Sequence, residues 1–317
     1  MQNKLKKVKK YIQFLSQTMY ANERDIDNIS ICLCEYKRNN EFPPLEKFIP
    51  YRQGDPWGSG LDSHAWFHFS IDIPQEMKGE PIQLFTDAEQ VKTIHDLHLL
   101  IYVNGEFRQG LDRNHPGISL DGLDNVDVYI YAYTGQEMKE SSLYAKIRNV
   151  NRVVEQLYYD VKTPLEMLDY LDSNSYEYIE ILKHLDNAVS LLNIYEVGDK
   201  EFFESVSLAK KYMDEEFYGK FCSVNRGLSY PTTVGIGHTH IDCAYHWTLK
   251  QTREKVQRSF GIVLELMKQY PEYKFMSSQA LLYKFFKEEC PERYDEIKER
   301  IKEGRWECEG AMWVESD

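Results

Sequence analysis

The hydrophobic pattern of this chain changes its period along the sequence, and these changes limit the folds that it can adopt. From about residue 29 onwards it consists of short apolar runs separated by turn residues. We predict strands at ISICLCEY, AWFHFSIDIP, IQLFTD, LHLLIYVNGEFRQGL and VDVYIYAYTG. Asn104-Gly105, between two apolar runs, indicates a type I′ hairpin. Short strands joined by turns predict a β-sandwich-like domain over residues 29–140.

Two other segments have the period of amphipathic helices. Residues 1–28 are predicted as an N-terminal helix, because apolar side chains recur at helical spacing among lysines: Leu5, Val8, Ile12, Leu15 and Met19. The period returns in NRVVEQLYYDVKTPLEMLDYL and EYIEILKHLDNAVSLLNIY, interrupted by Pro164 and the polar cluster 172–175. We interpret residues 141–230 as a helical connector and linker.

Strand and helix patterns then alternate to the end of the chain. The predicted strands are TTVGIGH, YKFMSSQ and RWECEGAMWVE, and the predicted helices are LKQTREKVQRSFGIVLELMKQY, ALLYKFFKEE and a segment near residues 294–302. Such alternation is typical of a parallel sheet whose strand C-terminal ends carry the site. The predicted fold class is therefore multidomain α/β, with residues 231–317 as the first strands and helices of a catalytic α/β domain.

The segment GHTHIDCAYHW concentrates histidines directly after the apolar run 233–236. Residues i and i+2 at a strand end project to the same side, so an imidazole nitrogen and a carboxylate oxygen can reach one metal ion. The spacing of His238, His240 and Asp242 therefore favours a metal or catalytic site over structural histidines. No histidine follows His246, so a further ligand in this chain would be a carboxylate or thiol, and Asp317 is well placed after the last predicted strand.

Several unrelated metal hydrolases use an HxH pair, and this sequence departs from two of them and from the zinc deaminases. The metallo-β-lactamase pattern needs a histidine immediately after the aspartate, where this chain has Cys243. The amidohydrolase pattern needs histidines further downstream, and the zinc deaminases need HxE with PCxxC, whereas Cys290-Pro291 has the reverse order.

Composition limits the partners. The chain has 38 Lys and Arg against 51 Asp and Glu, a net charge of −13, which argues against nucleic acid or an anionic membrane and favours a small-molecule or saccharide substrate. We find no membrane-span pattern and no signal peptide, so the expected compartment is the cytosol. The six cysteines lack zinc spacing and are expected to be free buried thiols.

The stretch from Val234 to Asp317, which contains GHTHIDCAYHW and ends with WVESD, resembles the start of the catalytic domain of glycoside hydrolase family 38. This family comprises the class II α-mannosidases, and the likeness is to its cytosolic and bacterial branch. The upstream stretches WFHFSIDIP and YVNGE resemble the N-terminal domain of that branch. The resemblance implies that zinc is bound by His240, Asp242 and Asp317, that Asp317 is also the catalytic nucleophile, and that His238 supports the ligands without binding zinc.

Three aromatic residues are candidates for contact with substrate. The family usually has tryptophan three residues after the ligand aspartate, and this chain has Tyr245 there, with Trp247 two residues further on. Trp313 precedes the nucleophile and is expected to line the pocket or to pack in the core. Three glutamates of the last predicted strand are interpreted as structural, with Glu309 as the buried candidate: Glu307, Glu309 and Glu315.

The activity implied by the resemblance is that of a retaining zinc-dependent α-mannosidase, which hydrolyses terminal α-D-mannosides of glycans in mannose metabolism. The acid/base carboxylate and the last zinc-binding histidine of the family lie downstream of the position of Asp317. We therefore expect this chain to be an N-terminal fragment that is inactive alone. The sequence leaves the linkage preference and the oligomeric state open, including a homo-oligomer.

Two alternatives stay open at this point. The strand-rich domain could be a carbohydrate-binding or docking module without catalysis, with Trp57, Trp66 and Tyr102 as sugar platforms. The HxHxD segment could instead belong to another metal hydrolase.

Overall fold

The computed structural model describes residues 2–35, 41–58, 62–86, 98–135, 141–195, 197–223, 234–310 and 312–315. Packing divides the chain into two compact units. The helical unit consists of Met1–Glu23, Glu76–Gln83 and Arg148–Thr232. The sheet unit consists of Arg24–Gln75, Leu84–Ile147 and Thr233–Asp317. The protein is thus mixed α/β, as predicted, while the predicted domain boundaries at 28, 140 and 230 stay predictions.

The strand-rich region forms strands at all five predicted segments. Four further strands were not predicted, at residues 20–25, 49–50, 117–119 and 145–150, and the last of these corrects the start of the predicted helical connector. The strands of this region are β1 (Tyr20–Asp25), β2 (Ser30–Cys34), β3 (Ile49–Pro50), β4 (His64–Asp72), β5 (Ile82–Thr86), β6 (His98–Val103), β7 (Glu106–Leu111), β8 (Gly117–Ser119), β9 (Asn125–Tyr133) and β10 (Ala145–Val150). One sheet has the order β3-β2-β4-β9-β6-β7, with antiparallel neighbours throughout, and another has the order β1-β10-β5-β8.

The hairpin between β6 and β7 turns at the predicted residues. Asn104 and Gly105 have φ values of +53° and +84°, the left-handed conformation that a type I′ turn requires at both central positions. The strands on either side pair from Leu99 with Leu111 to Val103 with Glu106. The hairpin prediction is therefore confirmed.

The N-terminal helix is shorter than predicted. Helix α1 covers Gln2–Thr18 and buries Val8 and Leu15, but residues 20–25 form strand β1 instead of continuing the helix to residue 28. The side chains of β1 are almost all exposed, so this strand lacks the alternating apolar pattern that identifies a strand in a sequence.

The predicted helical connector contains α2 (Arg152–Met167), α3 (Tyr176–Ser190) and α4 (Lys200–Tyr212), followed by a π-helical segment, Met213–Phe221. Each α-helix begins at a side-chain cap, which is Asn151, Ser175 or Asp199. Their apolar faces pack with that of α1 in one core: Val8, Leu15, Val154, Leu157, Val161, Leu182, Leu185, Phe202, Val206 and Met213.

The last part of the chain forms the predicted parallel sheet. Its strands are β11 (Gly237–His238), β12 (Phe275–Ser277) and β13 (Trp306–Cys308), with both neighbouring pairs parallel. Its helices are α5 (Leu249–Gln269), α6 (Ala280–Glu289) and α7 (Pro291–Lys302). Helix α5 begins with a capping box in which Thr248 and Gln251 bond each other's backbone.

Helix α5 also packs closely on strand β7 within the sheet unit. A β-carbon at Gly110 would lie 1.8 Å from Arg258 Cγ, and one at Gly261 would lie 2.9 Å from Gln109 Cα, so glycine is needed on both sides of this contact. One core consequently contains side chains of the six-stranded sheet and of α5 to α7, including Trp66, Tyr102, Phe107, Val256, Phe260, Phe286 and Trp306.

The structure corrects several expectations about burial. The proposed sugar platforms Trp57, Trp66 and Tyr102 are buried, so they cannot stack on a ligand at the surface. All six cysteines are free thiols, but only Cys32 and Cys290 are buried as predicted. Cys34 and Cys243 are partly buried, and Cys222 and Cys308 are exposed. Among the described residues, we find no helix with the length and apolar character of a membrane span.

Candidate functional site

The HxHxD segment follows a parallel strand, but this strand is shorter than predicted. Strand β11 contains only Gly237 and His238, which pair with Phe275 and Met276 of β12. The preceding Val234 and Ile236 are exposed, and Thr233 lies outside the described residues. A β-carbon at Gly237 would lie 2.1 Å from the Tyr273 hydroxyl oxygen, so a larger residue there would require the Tyr273 ring to move.

His240 and Asp242 lie together in the loop after β11. His240 Nε2 is 2.7 Å from Asp242 Oδ1, and Ile241 between them is buried. Because the intervening side chain points into the core, its two neighbours project to the same outer side. The convergence expected from the i, i+2 spacing is confirmed, and the imidazole is 55% exposed and accessible to a ligand.

His238 makes a different contact. Its Nδ1 is 3.1 Å from the Met276 carbonyl oxygen of β12, so a proton on Nδ1 ties the ring to the neighbouring strand. The residue is exposed, like His240. This contact holds the end of β11 beside β12.

Sequence reasoning missed Glu315 as a partner of His240. Glu315 Oε2 lies 2.9 Å from His240 Nδ1, and its other oxygen accepts a 2.5 Å hydrogen bond from Ser278 Oγ. Both imidazole nitrogens of His240 therefore face carboxylate oxygens. No local pattern indicates this arrangement, because Glu315 is 75 residues away from His240 along the chain.

Backbone hydrogen bonds bring Glu315 to this position. The first amides of α6, at Ala280 and Leu281, donate to the carbonyl oxygens of Met312 and Trp313 at 3.2 and 3.1 Å. These amides would otherwise lack partners at a helix N-terminus. The segment after β13 is thus anchored at the C-terminal end of β12, beside the loop of His240.

The last predicted strand ends earlier than the sequence indicated. Strand β13 stops at Cys308, Glu309 is exposed instead of buried, and Asp317 lies outside the described residues. The predicted roles of Asp317 as nucleophile and zinc ligand therefore stay predictions. Within the part of the chain that the structure describes, no group of three His, Cys, Asp or Glu side chains is placed to hold a metal ion.

The predicted substrate-binding aromatics differ in exposure. Tyr245 is 68% exposed, with its ring 4.0 Å from that of His246 and 6.1 Å from that of Trp247. Trp247 is half-buried, because its indole nitrogen donates to Thr252 Oγ1 at the start of α5. Trp313 is 55% exposed, which is not the burial expected of a core tryptophan.

A known protein family matches this part of the chain. Residues 231–317, which contain the loop of His240 and Asp242, match the sequence model of the glycosyl hydrolases family 38 N-terminal domain. This match and the curated relatives support membership of glycosyl hydrolase family 38. The family resemblance seen in the sequence is thus confirmed.

Curated relatives of this chain carry alpha-mannosidase names. Alpha-mannosidase G of Dictyostelium discoideum is 28% identical over 291 residues, which are 83% of this chain and 25% of that protein. Alpha-mannosidase of Saccharomyces cerevisiae is 32% identical over 142 residues, or 43% and 13%. Alpha-mannosidase 2C1 of Mus musculus is 24% identical over 318 residues, or 92% and 29%. The chain thus spans less than a third of the length of these relatives.

Solved structures give a much weaker likeness. A b-glucuronidase from Ruminococcus gnavus matches 41% of this chain and 29% of its own at 9% identity, with a TM-score of 0.29. A Bacteroides uniformis beta-glucuronidase 2 mutant matches 40% and 18% at 11% identity, with a TM-score of 0.28. Scores this low support no argument about fold or activity.

Proposed function

We propose that this chain forms part of a retaining, zinc-dependent α-mannosidase that removes terminal α-D-mannose from glycans. The observation that carries the proposal is the 2.7 Å approach of His240 and Asp242 after a parallel strand, within the residues that match the family. The names of the relatives support the substrate class. The cytoplasmic location and a homo-oligomeric state stay predictions from the sequence.

The donors of the loop suit zinc. An imidazole nitrogen and a carboxylate oxygen are common zinc ligands, and a metal-bound histidine usually has its other nitrogen hydrogen-bonded to a carboxylate or carbonyl. Glu315 is placed to be that carboxylate for His240. We propose His240, Asp242 and Asp317 as the residues of this chain that hold zinc. Bound zinc would supply Lewis-acid contact with vicinal sugar hydroxyls, which favours mannose because its O2 is axial.

The remaining chemistry needs two carboxyl groups and a sugar-binding surface. In the proposed mechanism, the Asp317 carboxylate attacks the anomeric carbon, and an acid/base carboxyl about 5–5.5 Å away protonates the leaving oxygen. Water then hydrolyses the glycosyl ester of Asp317, with net retention of configuration. Tyr245, Trp247 and Trp313 are proposed to contact the sugar through their apolar faces.

The direct test uses a polypeptide in which this chain is followed by the remainder of a family 38 enzyme. We expect hydrolysis of an aryl α-mannoside that stops on zinc chelation and returns with added zinc. NMR of the first-formed sugar should show the α-anomer. Metal-dependent hydrolysis of amides or phosphates without mannosidase activity would instead favour another HxHxD hydrolase.

The 317-residue polypeptide alone is expected to be inactive. Asp317 supplies a single carboxylate of the pair, and the family resemblance places the acid/base group in a later part of the sequence, so the leaving oxygen would have no proton donor. The measurement is release of aryl alcohol from an α-mannoside with excess zinc, compared with buffer. Zinc-dependent turnover by this polypeptide would show that residues within it complete the site.

Replacing Glu315 by alanine should weaken zinc binding in the active polypeptide about tenfold to a hundredfold, because His240 loses the carboxylate that orients its ring. Zinc affinity can be measured by competition with a chromophoric chelator. Glu307→Ala is the matched control, since this exposed glutamate lies on β13, in the same segment. Equal zinc affinity in both variants would contradict the orienting role of Glu315.

A further inference from the structure

Gln279 occupies a backbone conformation that normally belongs to glycine. It lies between strand β12 and helix α6, with a φ of +65°. Left-handed φ values are sterically unfavourable for residues with a β-carbon. Glycine would adopt this conformation without strain, so the glutamine side chain is expected to have a role that glycine cannot fill.

The side chain of Gln279 is directed to the HxHxD loop. The residue is only 3% exposed, and its Nε2 donates a 3.0 Å hydrogen bond to the carbonyl oxygen of Ile241. Ile241 is the residue between His240 and Asp242. Burial therefore holds the Ile241 side chain, and the hydrogen bond from Gln279 holds the Ile241 carbonyl oxygen. Both contacts act on the residue that separates the two candidate ligands.

The oxygen atom of the Gln279 side-chain amide lacks a hydrogen bond. Gln279 Oε1 is buried and has no hydrogen-bond partner among the described residues. A buried acceptor without a partner is unfavourable, as is the left-handed backbone. Gln279 thus combines two unfavourable features, its left-handed backbone and its unpaired oxygen, with one favourable contact, the hydrogen bond to Ile241. This combination indicates that the site requires the hydrogen bond.

We propose that Gln279 is a positioning residue: its side-chain amide holds the Ile241 carbonyl so that His240 and Asp242 are already set for metal. The inference rests on the proposed zinc site. It assigns part of the metal affinity to a residue that touches neither metal nor substrate. A residue that orients metal ligands typically changes metal affinity about tenfold to a hundredfold when it is lost.

Two variants separate the hydrogen bond from the backbone strain. Gln279→Met keeps the size of the side chain but removes the donor, and the left-handed backbone remains. Gln279→Gly removes the side chain and also relieves the backbone strain. It therefore tests the loss of the hydrogen bond even if Gln279→Met fails to fold. The matched control is Gln257→Met, because Gln257 is likewise buried and its Oε1 likewise has no hydrogen-bond partner among the described residues, but it lies within α5.

The first measurement is zinc affinity in the active polypeptide. Both Gln279 variants should bind zinc at least about tenfold more weakly than the unmodified protein, and Gln257→Met should stay within about twofold. The second measurement is amide hydrogen exchange of residues 238–245 in the metal-free protein. We expect exchange there to become about tenfold faster in both Gln279 variants and to be unchanged in the control.

The two measurements distinguish failure of this proposal from failure of the proposed function. Unchanged exchange in the loop, or full zinc affinity in both Gln279 variants, would overturn the positioning role. A third outcome is that the unmodified protein does not bind zinc, while exchange in the loop is faster in the Gln279 variants. This outcome would support the role of Gln279 in holding the loop but would overturn the proposed zinc-dependent function.

Discussion

Replacing Asp317 by alanine should lower kcat for an aryl α-mannoside about a thousandfold or more in a polypeptide that carries the whole catalytic domain. The proposed mechanism gives this carboxylate two roles, as nucleophile and as zinc ligand. Alanine removes the atom that bonds to the anomeric carbon, and binding energy elsewhere in the site cannot replace a missing nucleophile. Bound zinc should also decrease, which metal analysis of the purified variant would detect.

The comparison that isolates Asp317 uses two further variants. Glu309→Ala removes an exposed carboxylate eight residues earlier and should leave both kcat and zinc content unchanged. His240→Ala removes a proposed ligand while keeping the nucleophile, so it should lose zinc. If Asp317→Ala kept activity within about tenfold of the unmodified enzyme, the assignment of the nucleophile would be wrong.

Local patterns predicted much of the fold, because the interactions that define it are close in sequence. The Asn104-Gly105 turn is specified by two residues that tolerate positive φ. Helix α5 was predicted from the pattern of LKQTREKVQRSFGIVLELMKQY, which matches its observed range closely. The approach of His240 to Asp242 followed from their spacing alone.

Features that depend on contacts between distant segments were not predictable in this way. Strand β1 has exposed side chains and is identified only by its backbone pairing in a sheet. Glu315 reaches His240 because the segment after β13 bonds the first turn of α6, a contact that no periodicity reports. The left-handed φ of Gln279 could not be predicted either, because no local sequence pattern indicates that a glutamine adopts this conformation.

A group of ionisable side chains, most of them buried, lies where strands β4 and β9 meet the start of α5. His64 Nδ1 is 2.6 Å from the Tyr131 hydroxyl, which donates to Glu254 Oε1 at 3.0 Å. Lys250 Nζ is 2.8 Å from His64 Nε2. Asp62, 3.8 Å from His64 Nε2, also accepts a 2.6 Å hydrogen bond from the hydroxyl of Tyr133 on β9. None of these contacts was suggested by the sequence.

The surroundings shift the pKa values of His64 and Glu254 in opposite directions. Burial raises the pKa of Glu254 to about 7, against the lowering effects of the Tyr131 hydrogen bond and of Lys250. Burial, together with the positive charge of Lys250, lowers the pKa of His64 to about 4, against the raising effect of Asp62. Both groups therefore favour their neutral forms in the folded protein near pH 6.

These shifts give opposite dependences of stability on pH. Glu254 binds its proton more tightly when folded, so its contribution is present below about pH 4.5 and is lost as the pH rises to about 7. His64 binds its proton more weakly when folded, so its contribution is present above about pH 6.5 and is lost as the pH falls to about 4. Between about pH 4.5 and 6.5 the two slopes should largely cancel.

In the Glu254→Gln variant, the pH dependence of the free energy of unfolding that comes from His64 should become visible. The free energy of unfolding of this variant, relative to the unmodified protein, should increase by about 3 kcal/mol between pH 4.5 and pH 8, because the variant no longer has to ionise a buried carboxyl. The glutamine oxygen can still accept from Tyr131, and any new unsatisfied amide proton would shift the free energy equally at every pH. The slope with pH is therefore the informative quantity.

Tryptophan fluorescence during urea unfolding provides this measurement for the sheet unit specifically, since Trp57, Trp66, Trp247, Trp306 and Trp313 all belong to it. The control is Glu272→Gln, which removes an exposed carboxylate of the same unit that lies outside this group of ionisable side chains. His64→Gln should show the opposite slope to Glu254→Gln, because it leaves only the carboxyl to titrate. A Glu254→Gln difference that is flat from pH 4.5 to 8 would mean that Glu254 is already ionised in the folded protein at low pH, with Lys250 close enough to hold its charge.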